Sequence, residues 1–176
     1  MMRQEHNKTR FGVGVKAGEP SGFVVQLFKG TFCSSDNHYI HHGTVEFFGG
    51  VENRFLSRNY QFKGGKWAPG GSQFGISYQN QLPGTCLIMG KLTVQLHGGI
   101  GFQGGNRRFV KREFTEEAIT YGGLGFLRLS FTGKGFKAMN RFWFWSFFAE
   151  EKYYQDFTQK FSYWRPAFGL IFRNVR

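Results

Sequence analysis

The chain has 176 residues with 26 Gly, 23 Phe and 4 Pro, an aromatic content of 19% and a mean hydropathy of −0.38. A chain this aromatic and this polar does not read as a soluble domain cored by Leu, Ile and Val, and no stretch approaches the roughly 18 consecutive apolar residues of a membrane-spanning helix. The formal charge of +12 favours an anionic partner, and charge alone does not choose among nucleic acid, anionic lipid and lipopolysaccharide phosphate.

Period-two alternation, which sends successive side chains to opposite faces of a sheet, marks the strands. The first runs from Thr9 to Ala17: Phe11, Val13 and Val15 alternate with Arg10, Gly12, Gly14 and Lys16. Glu19-Pro20-Ser21-Gly22 is a turn, because Pro presets φ and Gly accepts positive φ. A second strand covers Gly22 to Cys33, Ser34 to Asn37 turns the chain, and a third covers His38 to Gly49 with Glu46 on its polar face.

Gly50 to Gly71 reads as a long loop. The fourth strand, Ser72 to Leu82, ends at Pro83-Gly84. The fifth alternates most clearly, with Lys91, Thr93, Gln95, His97, Gly99 and Gly101 against Leu92, Val94, Leu96, Gly98, Ile100 and Phe102, and it reaches back to Leu87. A strand this long exceeds the usual five or six residues of soluble sheets and suits a tilted membrane strand of about nine to eleven.

Gly104 to Glu117 reads as a charged external loop, and Arg107, Arg108, Lys111 and Arg112 make it the best candidate for an anion contact. The sixth strand, Ala118 to Thr132, alternates Leu127, Leu129 and Phe131 with Arg128, Ser130 and Thr132. The seventh, Asn140 to Tyr153, is apolar on both faces before it turns charged at Glu150-Glu151-Lys152. The eighth, Lys160 to Arg173, carries Pro166, which removes a ladder donor and so belongs near a strand end or bulge.

The expectation is an all-β protein: an antiparallel up-and-down transmembrane β-barrel of about eight strands, formed as one domain by residues 9–176 after a polar segment, residues 1–8. An even strand count puts both termini on one side and the two long loops on the other, as in bacterial outer-membrane barrels with periplasmic termini. The polar face then points inward, where Arg10, Lys16, Glu46, Lys91, Arg128, Arg165 and Arg173 form a charge network. Trp143, Trp145, Tyr163 and Trp164, with Tyr153 and Tyr154, lie near strand ends, where amphipathic rings favour the membrane interface.

Three stretches carry a family resemblance: Arg10-Phe-Gly-Val-Gly-Val-Lys-Ala-Gly-Glu-Pro-Ser-Gly22, Gly43-Thr-Val-Glu-Phe-Phe-Gly-Gly50 and Trp164-Arg-Pro-Ala-Phe-Gly-Leu-Ile-Phe172. With these the chain resembles small outer-membrane barrel proteins, especially the uncharacterised ones common in Bacteroidetes. It departs from them at its end, where Asn-Val-Arg follows Phe172, and in its basic charge. The resemblance implies fold and an outer-membrane location, whose signal peptide would lie outside residues 1–8, and it implies no activity.

The chemistry-bearing residues give no strong motif. His41 and His42 point to opposite faces of a strand, His38 and His42 can share a face but no carboxylate or Cys pattern joins them, and neither spacing nor flanking His suggests a metal site at Cys33 and Cys86. His97 faces inward, near Ser77 and Ser130, without a recognisable nucleophile pattern, and no glycine pair opens a phosphate-binding helix. Cys33 and Cys86 are compatible with one disulfide or two thiols.

The reading is therefore a non-enzymatic outer-membrane barrel, a structural or accessory subunit alone or within a larger envelope complex, with no cofactor, no metal and no catalytic residue. Its partners are outer-membrane lipid, lipopolysaccharide and other envelope proteins, not nucleic acid. The alternatives are a lipid-modifying barrel enzyme and a soluble lipocalin-like barrel with its apolar face inward.

Overall fold

The structure is a computed structural model that describes residues 10–18, 20–33, 38–51, 61–62, 65–68, 71–111, 114–138, 141–158, 160 and 162–175. Its strands are β1 (Arg10–Ala17), β2 (Ser21–Cys33), β3 (His38–Val51), β4 (Gln61–Phe62), β5 (Gly65–Ala68), β6 (Ser72–Met89), β7 (Leu92–Lys111), β8 (Phe114–Gly133), β9 (Phe136–Ala138), β10 (Arg141–Asp156) and β11 (Ser162–Val175). Every pairing is antiparallel. The circuit β1-β2-β3-β6-β7-β8-β10-β11 returns to β1, so eight strands close a barrel, with β4, β5 and β9 as short additions at its rims.

The register fixes the barrel's dimensions. From Val13 the rungs lead through Val25, Phe47, Ile76, Phe102, Gly123 and Gln155 to Ser162, whereas β1 itself meets β11 with Val13 opposite Phe172. The circuit therefore closes with a stagger of ten residues along β11, from 162 to 172. With strands about 4.8 Å apart and about 3.3 Å of rise per residue, that stagger over eight strands tilts them about 40° from the axis. Membrane barrels tilt their strands by about 35–45°.

The two faces separate by polarity. Along β10, Phe144, Ser146, Phe148, Glu150, Lys152, Tyr154 and Asp156 are buried, while Trp145, Phe147 and Glu151 are exposed. Outward positions on the other strands are apolar: Phe11, Val13, Val15, Phe23, Leu27, Phe47, Phe74, Ile76, Ile100, Phe102, Leu127, Leu129, Phe168 and Phe172 are all exposed. Gln26, Glu46, Gln73, Gln79, Thr93, Gln95, His97, Gln103 and Arg128 point inward and are buried. The barrel is thus polar inside and apolar outside, with inner apolar patches such as Phe28 with Phe144, and Val24, Phe48, Phe126, Phe148 and Ile171.

Several boundaries differ from the sequence expectation. Pro83-Gly84 does not end a strand: β6 continues to Met89, and Leu82 to Thr85 form a bulge between the Gln81–His97 and Cys86–Gln95 rungs. The Thr85 hydroxyl closes it by donating to the carbonyls of Leu82 (2.6 Å) and Leu96 (3.1 Å), and Gly84 takes φ 73°, which an L side chain adopts at a cost. The turn falls instead at Gly90-Lys91, with Gly90 at φ 57°, so Leu87 belongs to β6 and Lys91 is an exposed turn residue outside the interior network.

Gly104 to Glu117 is not a loop either. It is the far end of a β7–β8 hairpin paired from Leu92–Gly133 to Lys111–Phe114, with β5 added along its edge. Pro166 sits within β11 opposite Glu151 on β10, and pairing with β1 stops at Ala17–Phe168. Pro166 thus lies beyond the last rung that β11 shares with β1, near the end of that ladder, where proline is tolerated.

Candidate functional site

The interior is the most organised part of the molecule. Arg128, on β8, donates from Nη1 to Glu46 Oε2 (2.5 Å), from Nη2 to Glu46 Oε1 (2.8 Å), and from Nε to Glu150 Oε2 (2.9 Å). Lys16 Nζ donates to Glu150 Oε1 at 2.7 Å. Gln26 Nε2 donates to Glu46 Oε2 at 2.7 Å, and Gln26 Oε1 accepts from Arg173 Nε at 3.1 Å. One hydrogen-bonded network thus ties Arg173, Gln26, Glu46, Arg128, Glu150 and Lys16, and these lie on six of the eight barrel strands.

Two further links lie nearer the β7–β8 tip. Lys152 Nζ donates to Gln103 Oε1 (2.9 Å), Gln103 Nε2 donates to Gln73 Oε1 (3.4 Å), and Gln73 Nε2 donates to the carbonyl of Asn106 (3.1 Å). Arg107 Nη2 donates to the Tyr163 hydroxyl (2.8 Å) and its guanidinium lies 4.7 Å from the Tyr154 ring, while Tyr154 donates to Asp156 Oδ2 (2.9 Å). Phe48, Phe126 and Phe148 wrap the cations, with the Arg128 guanidinium 4.2 Å from the Phe148 ring. Side chains therefore cross the lumen at successive levels, as an interior of eight strands permits.

Sequence-predicted residues fall on both sides of this wall. Arg10, Lys16, Glu46, Arg128, Arg165 and Arg173 are buried in the interior. Arg107, expected on an external loop, is instead fully buried inside the barrel, because the hairpin carries the in–out alternation past Gly104. Arg108 does face outward and pairs with Glu117 at 2.7 Å, both half exposed. Asn106 and Arg108 hold the Glu117 carboxyl below its usual range, the Asn106 hydrogen bond (2.8 Å) contributing most. Lys111 ends β7 and Arg112 lies outside the described residues, so the basic patch is reduced to Arg108 among the side chains described.

The expected interfacial rings also divide. Trp145 and Trp164 are exposed and Trp143 is half-buried on the outer face. Tyr163 points inward, as does Tyr154, their rings 5.0 Å apart. The sequence reading missed Glu150 and Lys152 as interior partners, because the apolar run before them masked the alternation; counting back from Asp156 by twos would have placed both inside. Cys86 is half-buried on β6, and the Cys33 side chain lies outside the described residues.

The outer wall has its own geometry. Tyr153 pairs with Trp164, ring centroids 5.0 Å apart, and ten residues earlier on β10 Trp143 pairs with Asn174. At about 3.3 Å per residue and about 40° of tilt, the two rungs stand about 25 Å apart along the axis. Between them the wall is mostly apolar, with Lys29, His42, Asn80 and Glu151 as exposed polar side chains among the described residues, and it carries a shallow groove of about 400 Å³ among Phe74, Ile76, Phe102, Gly104 and Tyr121.

The chain matches no family model, no curated protein and no solved structure. Among the described residues no group of three or more His, Cys, Asp and Glu side chains could hold a metal ion.

Proposed function

We propose that this chain is an outer-membrane β-barrel of the bacterial envelope, acting as a structural or accessory subunit, alone or within a larger envelope complex, and not as an enzyme. The observation that carries the reading is the outer wall: an exposed apolar band bounded by aromatic rungs about 25 Å apart, the height of the lipid-facing band of membrane barrels. Burying that band in hydrocarbon removes an apolar surface that a soluble monomer would expose to water at a cost. The closed circuit gives every barrel strand a paired neighbour on each side over much of its length, with the β1–β11 ladder ending at Ala17–Phe168 and the β3–β6 ladder at Gly43–Asn80, and hydrocarbon favours such closure.

The filled lumen favours a rigid subunit over a transport pore. A lipocalin-like role needs the apolar face inward, and here Leu92, with Ile100 and Phe102 of the same strand, faces outward. A lipid-modifying role needs a nucleophile hydrogen-bonded to its base, whereas His97 is fully buried and bonded to neither Ser77 nor Ser130. Lipid and lipopolysaccharide are then the partners of the outer wall, with other envelope proteins at its rims.

The test is refolding from denaturant into detergent and into lipid vesicles. The folded barrel should run faster on a gel unheated than boiled, and it should float with the vesicles. A chain that folds and stays monodisperse in detergent-free buffer overturns the reading.

A further inference from the structure

The barrel wall parts between β3 and β6 at the end where β1 begins and β11 finishes. The β3–β6 ladder ends at Gly43–Asn80, and beyond it the described ladder of β6, from Gln81 to Met89, runs to β7. Across the seam, the described ladder of β3 from His38 to His41 runs to β2. The cause is local. Leu82 to Thr85 are extra residues in β6, and Pro83 has no amide hydrogen to give to a neighbour. Two strand edges therefore face each other there without a shared ladder among the described residues.

The seam already holds one amide. His41 N–H donates to Gln95 Oε1 (3.2 Å), and Gln95 Nε2 donates to the His41 carbonyl (3.0 Å). This is the two-bond exchange that the facing residue of an antiparallel strand makes, performed here by a side-chain carboxamide from β7, the strand beyond β6. Backbone direction alternates along a strand, so Tyr39 aims its N–H and carbonyl the same way as His41, and no described strand faces it there. On β6, Leu87 and Met89 point outward and Ile88 inward, and all three are at least half exposed for want of a neighbouring strand. At the head of the seam the outer wall turns polar: Lys29 and Asn80 both stand opposite Gly43, with His42 beside it.

We propose that this seam docks one extended peptide strand of another envelope protein, which pairs with the β3 edge at Tyr39 and His41 and lies against Leu87, Ile88 and Met89. What the seam holds now identifies the chemistry of its occupant: an amide that gives one hydrogen bond and takes one. A partner strand supplies the same exchange at every second residue, so main-chain bonds give the affinity. Its alternate side chains meet Leu87 and Met89 on the outer side and Ile88 on the inner side, and the exposed Lys29 favours an acidic residue at its outer end. Gln95 serves as the internal stand-in, keeping the His41 rung satisfied until the strand displaces it, as edges in native sheets are commonly covered. The proposal takes from the membrane reading only the compartment of the partner.

The probe is a fluorescent peptide of alternating valine and threonine with one aspartate, added to the refolded full chain in detergent micelles. Its control is the same peptide N-methylated on the amides of its pairing edge. The first should bind saturably and slow hydrogen exchange at the Tyr39 amide, and the second should do neither. Lys29→Glu, a change on the exposed wall, should weaken the aspartate peptide about fivefold and favour a lysine version of it. Gln95→Leu should tighten binding about tenfold, because the His41 rung loses its internal competitor; Lys29→Glu carries the test where Gln95→Leu does not fold. Equal binding of the plain and methylated peptides, or binding of neither, would overturn the proposal. So would displacement of the peptide by short-chain phosphatidylglycerol whose own binding is lost in Lys29→Glu, which assigns the seam to a lipid headgroup. A barrel with heat-shifted gel mobility that binds no peptide fails this test alone and leaves the membrane reading standing.

Discussion

Glu46 and Arg128 meet as a two-point pair across the lumen, two guanidinium nitrogens on two carboxylate oxygens at 2.5 and 2.8 Å, although β3 and β8 are separated by β6 and β7. The planar fork of arginine suits this geometry and a lysine would not reproduce it. Because the same guanidinium also serves Glu150, its removal leaves two buried carboxylates short of a partner.

Arg128→Met should therefore destabilise the barrel by about 3–5 kcal/mol or more. Adding Glu46→Gln and Glu150→Gln to it should recover most of that loss, because replacing the whole set removes the stranded charges. Urea unfolding of the refolded proteins measures both. Equal stability of Arg128→Met and its parent would mean that the network contributes nothing.

Arg107 and Arg108 are adjacent in sequence and opposite in role. Arg107→Lys should cost about 1–3 kcal/mol, since it loses the charge-assisted bond to Tyr163 and the stacking on Tyr154. Arg108→Ala should be near neutral in stability, its pair being solvent-exposed. What Arg108→Ala should change is the titration of Glu117. That carboxyl is depressed in the folded chain, so the pairing is present above the ordinary carboxylate range and is lost as pH falls through the folded value. Removing Arg108 should move the carboxyl resonance midpoint upward, but only part of the way, because the Asn106 bond persists.

Gly99 tests how tightly the interior is packed. A Cβ there would lie 2.2 Å from the Phe126 ring, so Gly99→Ala should cost about 1–3 kcal/mol through displacement of that ring. Phe126→Leu in the same chain should relieve much of it. A coupling near zero in the double-mutant cycle would show that the two positions do not touch.

These contacts mark where the sequence was informative and where it was not. Alternation exposed the barrel because each strand has one apolar face, and it placed Lys16, Glu46 and Arg128 inside without further help. It could not show that Glu46 and Glu150 share one arginine, since the three residues come from strands that are distant in sequence. Pro83-Gly84 looked like a turn because its chemistry is that of a turn; the ladder on either side, from Cys86 to Met89, absorbs it as a bulge. Arg107 looked external because the charged tip around it hid the in–out period of a hairpin longer than expected. Lys91 failed for the converse reason: its alternation with Leu92 continued smoothly into a turn.

The membrane reading makes a depth prediction. Trp164 lies on the upper aromatic rung, and Ile100 faces outward within the apolar band. In variants in which either Trp164 or Ile100→Trp is the sole tryptophan, lipids brominated near the headgroup should quench the first more strongly. Lipids brominated deep in the acyl chain should quench the second more strongly. Equal weak quenching of both would place the wall in water.

Glu151 is the acidic side chain on that wall among the described residues. It faces outward two residues below Tyr153, flanked by Leu127 and Pro166, at roughly 5 Å along the axis from the aromatic rung. A carboxylate at that depth costs less than a base at the midplane but still opposes insertion, by up to about 1 kcal/mol near the interface. For a barrel surrounded only by lipid, Glu151→Leu should therefore raise stability in vesicles by about that amount while leaving detergent stability nearly unchanged. A loss of stability in native membranes, with the gain retained in pure lipid, would identify Glu151 as a contact for another envelope component, because only a partner with a base or donor at that height turns the carboxylate from a cost into a contact.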